Sequence, residues 1–231
     1  MVARNVAALQ RAPKVPVKRP DIIRKDQLDD VVAKLRDTAI FPKAMLALFC
    51  GLRAGEVLAL SWNDIQGDML TVAGSVEEVP RMPLQIKRPK TEAGRRTVTL
   101  PSPVVTALQE HKVKQLKQRL AFGQGKLPDD ALVFPNKYNG GIARRTGLSI
   151  EWAKTVKALG LPPVTFHGLR HTMASALVDA GLPVTMIASR MGHASAAVTL
   201  RVYSHLYPKD DRAAAEAIER MIRPLPAPKP A

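Results

Sequence analysis

The sequence predicts a mainly helical α+β domain with a small antiparallel sheet near its middle. Three observations predict it. Apolar residues repeat at helical spacing in the second half, as Leu169, Met173, Ala176, Leu177 and Ala180, then Val184, Ile187, Ala188 and Met191. Two short β-branched runs, MLTVA at 69–73 and RTVTL at 96–100, interrupt the helical pattern, with a Glu92-Ala93-Gly94 turn before the second. A chain of 231 residues, 46% of them hydrophobic, is long enough to bury one real core.

The elements follow in order. Residues 1–20 are basic and punctuated by proline, and read as a linker. A helix is predicted over about Asp26 to Leu35, poorly capped because Arg24 stands at its start. A second covers about Pro42 to Phe49, and a third begins after Arg53, supported by Val57, Leu58 and Leu60. The two strands come next, with Lys90 near a hairpin tip, then a charged helix over roughly 103–120 and a loop from Phe122 to Asp130. Gly181 stops the helix that starts near His167, and Pro183 suits the first turn of the next. Ser195 is placed to cap the helix that carries Tyr203. Residues 210–222 set Ala214, Ala217, Ile218 and Met221 on one helical face, and RPLPAPKPA reads as a disordered tail. No internal repeat is present.

Charge narrows the partner. Lys and Arg number 35 against 20 Asp and Glu, a net charge of +15, which favours a polyanion, most simply nucleic acid. No run is apolar and long enough to span a bilayer, and MVARNVAALQRAPKVPVKRP lacks the apolar core of a signal peptide. The single Cys50 excludes an internal disulfide and fits a reducing compartment; within AMLALFCG it reads as a buried, inert thiol.

Six separated residues suit one chemistry: Arg53, Lys90, His167, Arg170, His193 and Tyr203. Cations and histidines can grip and protonate a phosphodiester, and a tyrosine hydroxyl can attack it. Arginine forks suit non-bridging oxygens better than lysine does. His167 and Arg170 lie three apart near a helix start and can share a face. His167 and His171 mimic an i,i+4 zinc pair, but the intervening GLR lacks the glutamate of a zinc hydrolase, and Arg170 repels a cation. Metal binding therefore ranks below phosphate binding. No Walker-type loop implies ATP.

Taken singly, each residue has an ordinary structural reading. Arg53 can simply pair with Glu56 on one helix turn. His193 follows Gly192 at a helix end, and Tyr203 shares a helical face with Ala196, Leu200 and Tyr207, as a core tyrosine would. Lys87, Arg88, Arg95 and Arg96 crowd Lys90, and such a basic hairpin can serve only to contact backbone phosphates.

The local sequences carry the rest. GLRAGEVLAL around Arg53, KRPKTEAGRRTVTL around Lys90, TFHGLRHT around His167 and Arg170, and MGHASAAVTLRVYSHL from His193 to Tyr203 together resemble the catalytic domain of the tyrosine recombinases, or phage integrases. The resemblance runs from about Asp21 to about Tyr207 and implies the DNA breaking-rejoining fold over a catalytic domain of residues 21–207. It implies site-specific DNA recombination through a covalent 3′-phosphotyrosine, without cofactor or metal. Tyr203 is then the nucleophile, His167 the base that takes its proton, Lys90 the acid that protonates the leaving 5′ oxygen, and His193 a hydrogen-bond donor to the phosphate. Arg53 and Arg170 hold the non-bridging oxygens, and Glu56 supports the site. The ten-residue interval from His193 matches the family pattern for Tyr203 and not for Tyr207. His171 reads as structural, bracing the next helix.

Relatives usually carry an N-terminal DNA-clamping (core-binding) domain, expected to be absent here, with residues 208–231 a C-terminal helix and tail. The implied partners are double-stranded DNA, further subunits forming a tetramer on DNA, and an accessory DNA-bending protein. The implied location is the bacterial or phage-infected cytoplasm, at the nucleoid. Two rivals remain at this level: a non-cleaving DNA-binding regulator on the same fold, and a type IB topoisomerase.

Overall fold

The computed structural model describes residues 20–89, 94–207 and 212–221. Lys90, the Glu92-Ala93 part of the predicted turn, the N-terminal linker and the C-terminal tail lie outside the described residues. The architecture is α+β and mainly helical, as the sequence predicts.

A 3₁₀ turn (Lys25–Gln27) leads into α1 (Leu28–Leu35). The Arg24 backbone N–H donates to the Gln27 side-chain oxygen at 3.2 Å, so this start is satisfied from within the turn. Helix α2 (Phe41–Cys50) is apolar on nearly every side and is buried at the centre of the molecule. Gly51 ends it with φ +69°, a conformation that glycine alone adopts without strain. Cys50 is fully buried. Burial pushes its thiol up to about 12, against a smaller pull from Arg190 and Arg96, which leaves it inert.

After α3 (Ala54–Ala59) come β1 (Ile65–Gln66), β2 (Met69–Val72), β3 (Ser75–Glu77), β4 (Gln85–Lys87) and β5 (Arg96–Thr99). The two β-branched runs pair antiparallel, with Leu70 opposite Val98 and Val72 opposite Arg96, and β1 adds to the far edge of β2. Strands β3 and β4 form a separate antiparallel pair. Strand β5 alternates, with Arg96 and Val98 inward and Thr97 and Thr99 outward.

The remaining helices are α4 (Ser102–Ala121), α5 (Arg145–Leu159), α6 (Phe166–Asp179), α7 (Val184–Met191), α8 (Ala196–Tyr203) and α9 (Arg212–Met221). Helix α5 has no counterpart in the sequence reading. It buries Leu148 and Trp152 and ends at Gly160. Ser195 does stand at the start of α8, but its hydroxyl makes no capping bond among the described residues.

Among the described residues two apolar clusters result. The larger joins α1 to α5, the three-stranded sheet and the start of α6, including Phe166 and Leu169. The smaller gathers Met173, Ala174 and Val178 of α6 with Ile187, Met191 and Tyr203. Helix α6 belongs to both, and Arg170 lies on it between Leu169 and Met173, where the two clusters meet.

Candidate active site

Three parts of the chain meet at the start of α6, two turns and α6 itself. The first is the α2–α3 turn, which carries Gly51 and Arg53. Arg53 is extended at the N-cap of α3, and its backbone N–H donates to Glu56 at 2.9 Å. The same carboxylate accepts from the Arg53 guanidinium at 2.9 Å. Glu56 therefore caps the helix and aims the arginine with one group. A further Arg53 nitrogen lies 3.5 Å from the Gly192 carbonyl.

The second contribution is α6 itself. Thr165 caps it by accepting from the Gly168 N–H at 3.0 Å. His167 and Arg170 then fall in its first turns, as the spacing predicts. His167 is exposed, whereas Arg170 is only 1% exposed. The Arg170 fork donates to the Gly51 carbonyl and, at 2.6 Å, to the Met191 carbonyl. Both carbonyls belong to helix ends that stop at left-handed glycines, Gly51 and Gly192. Burial, then the neighbouring Arg53, draws Arg170 down to about 9, so it stays charged at neutral pH.

The third is the α7–α8 turn. Gly192, at φ +63°, turns the chain so that His193 follows directly. His193 Nδ1 lies 2.9 Å from the Thr199 hydroxyl, which fixes the ring. Burial and the charges of Arg170 and Arg53 depress its pKa to about 4, so it is neutral at pH 7. His167 is shifted down by its packed surroundings and by Arg170 and Arg53.

Tyr203, the last residue of α8, is 1% exposed and packs in the smaller core. Its hydroxyl is hydrogen-bonded to His171 Nδ1. The His171 ring in turn meets His167 edge-on at a 4.7 Å centroid separation. Burial, then His167 and Arg170, lower His171 to about 4, so it faces the phenol as a neutral imidazole. Burial pushes the phenol up to about 12 against the opposing Arg170 charge. His171 thus holds the tyrosine hydroxyl as well as packing within the helix pair. The sequence reading missed that contact, although the four-residue step from His167 already put both rings on one face of α6.

The described part of the site opens on a groove of about 560 Å³, lined among others by Arg53, Glu56, Lys87, Arg88, Arg145 and His193. Five of the six predicted residues, Arg53, His167, Arg170, His193 and Tyr203, thus come together; Lys90 lies outside the described residues, just past β4, whose end lines the groove. Arg96 departs from the reading as a surface phosphate contact. It is 8% exposed and faces inward. The alternation of β5 was the available signal, because Arg96 shares the face of Val98.

Known proteins share this arrangement of sequence. The model of the phage integrase family matches residues 22–210. A XerC-like tyrosine recombinase of Caldanaerobacter subterraneus subsp. tengcongensis is 31% identical over 186 residues, 75% of this chain and 47% of that protein. An integrase of Streptomyces ambofaciens is 30% identical over 214 residues, 87% of this chain and 54% of that one. The chain thus spans about half the length of these curated relatives. Among solved structures, the Tn1549 transposon integrase in complex with a circular intermediate DNA superposes with a TM-score of 0.72 at 19% identity, covering 95% of this chain and 71% of that one. The catalytic domain of bacteriophage HP1 integrase superposes at 0.54 and 16% identity, covering 92% of this chain and all of that one. The structural likeness concerns the fold, and the family match spans the helices and turns that build the groove: this chain belongs to the phage integrase family, the tyrosine recombinases.

Proposed function

We propose that this chain is the catalytic domain, residues 21–207, of a site-specific DNA recombinase that cuts and rejoins strands through a covalent 3′-phosphotyrosine. The observation that carries this reading is the meeting of Arg53, His167, Arg170 and His193 with the Tyr203 hydroxyl at the start of α6. In the reaction the Tyr203 oxygen bonds to phosphorus and the bond to the 5′ oxygen breaks. The phenol proton passes to His167, and Lys90 returns a proton to the leaving oxygen. Arg53 stabilises the charge gathering on the non-bridging oxygens, joined by Arg170 once the movement that frees Tyr203 also uncovers it. In the tautomer in which Thr199 donates to Nδ1, His193 keeps its proton on Nε2 and can donate it to the phosphate. The phosphotyrosine conserves the bond, so a 5′ hydroxyl of another strand reverses the step without ATP.

The tyrosine is not ready in the free chain. A phenol pushed up to about 12 and 1% exposed is neither ionised nor within reach of DNA. Cleavage therefore requires Tyr203 to leave His171 and α8 to move when DNA fills the groove. That same burial is the one observation favouring a second reading, a DNA-binding regulator that does not cleave.

The partners in this reading are duplex DNA and further copies of the chain, as a tetramer on DNA, with a DNA-bending protein as accessory. The net charge of +15 supports the first. The exposed Ile218 of α9 and an apolar groove of about 800 Å³, lined by Leu28, Leu48, Met173, Leu177 and Met186, support contacts between copies. Among the described residues no helix is long and apolar enough to cross a membrane, and we place the protein's work in the cytoplasm.

A trap on nicked suicide duplexes, drawn from DNA flanking the gene, tests the reading. The chain should form a covalent adduct on a denaturing gel, and the Tyr203→Phe variant should form none. Binding with no adduct from either, in this chain and with a DNA-clamping domain fused ahead of it, would favour the regulator.

A further inference from the structure

Arg96 is not explained by the chemistry above, yet it is among the most heavily engaged side chains in the described structure. It opens β5 and points into the protein, 8% exposed. Its guanidinium forks onto Glu56, at 2.8 Å to one oxygen and 3.2 Å to the other. Its Nε donates to the Arg190 carbonyl at 2.8 Å, and one terminal nitrogen lies 3.5 Å from the Gly94 carbonyl. A buried arginine with this many acceptors is paired geometrically as well as electrostatically.

The three partners belong to three pieces of the site. Glu56 holds Arg53 at both its backbone and its guanidinium. Gly94 follows directly on the segment that contains Lys90. Arg190 lies two residues before Gly192, whose carbonyl meets Arg53, and three before His193. We propose that Arg96 is a positioning residue of the catalytic site, fixing Arg53 through Glu56 while fastening the start of β5 to the end of α7. The inference rests on the recombinase reading and names a residue it lacks.

Charge supports the role. Arg53 and Glu56 alone would cancel, leaving little attraction for a phosphate. Two guanidinium groups on one carboxylate leave a net positive charge beside the groove. Arg96, held inward by the pleat of β5, supplies that second charge without occupying the groove. Arg53, at 41% side-chain exposure against 6% for Arg96, is the one left to meet DNA.

The test uses Arg96→Met and Arg96→Lys in the full chain, with melting measured first. Single-turnover cleavage of the nicked duplex is followed at saturating DNA, alongside the Kd for the same duplex. In Arg96→Met the saturating rate should fall at least tenfold while Kd changes less than twofold. Arg96→Lys, which keeps the charge but not the fork, should recover only part of the rate. A rate equal to wild type in either folded variant would overturn the proposal, as would a loss wholly accounted for by weaker binding. The Arg53 Nε–H resonance, identified by its disappearance in Arg53→Lys, gives a reading independent of cleavage. It should be shifted and should exchange faster with water in the Arg96 variants than in wild type. If wild type forms no adduct, with a DNA-clamping domain fused ahead of it as well as without, the recombinase reading fails, and an unchanged Arg53 resonance would then still refute the positioning role. If Arg96→Met does not fold, Arg96→Lys carries both measurements.

Discussion

His171 and His193 are kept neutral inside the protein, and that has a consequence for stability. Each has an ordinary pKa of 6.5 and a folded value of about 4. Between those values the unfolded chain binds protons that the folded chain refuses, so stability rises with pH across this window. Their contribution is complete above pH 6.5 and is lost as pH falls toward 4. Burial opposes the Glu56 charge, but Arg96 and Arg53 outweigh it and hold the carboxyl below its usual range. Its contribution is therefore present above the ordinary value of 4.5 and lost as pH falls below it. Urea unfolding should show a lower midpoint at pH 5 than at pH 7, and equal midpoints would contradict the neutral histidines. At the same scale, Tyr203→Phe should abolish the covalent adduct and leave DNA affinity nearly unchanged, because the cations hold the backbone. An adduct surviving in that variant would move the nucleophile to Tyr207. Arg170→Ala should slow cleavage by roughly a hundred- to a thousand-fold, the usual loss for a charge-stabilising donor. Cleavage at the normal rate would remove Arg170 from the site.

At the scale of elements, helix ends build the site more than helix bodies do. The carbonyls that receive Arg170 are left free to accept because α2 and α7 stop at left-handed glycines. Gly51 shows how tightly this is set. A Cβ there would lie 2.2 Å from the Met173 methyl, on a backbone at φ +69°. Gly51→Ala should cost about 1–3 kcal/mol, from the strained φ and the displaced Met173. Chemical denaturation measures this, and a variant as stable as wild type would show that α2 can end another way. The same change should slow cleavage beyond its effect on folding, because the Gly51 carbonyl is a partner of Arg170.

At the scale of the whole molecule, the +15 charge predicts salt-dependent DNA binding, and the buried tyrosine predicts that assembly and reactivity follow DNA. Light scattering should find monomers alone and tetramers only with DNA; a stable tetramer without DNA would contradict the scheme. The order of GLRAGE, the lysine hairpin, HGLRHT and the GH…Y segment along the chain determined the family. Apolar spacing and the β-branched runs determined most helices and the paired strands, because periodicity is a local property. Helix α5 escaped because its stripe is thin: Leu148 and Trp152 are buried, but Ile150 is 56% exposed. Only the tertiary structure decided that Arg96 turns inward to Glu56, that His171 rather than solvent meets the Tyr203 hydroxyl, and that Arg170 is sealed between two cores. Each of these depends on partners 21 to 119 residues away, and no local pattern encodes which buried charge will find which carbonyl.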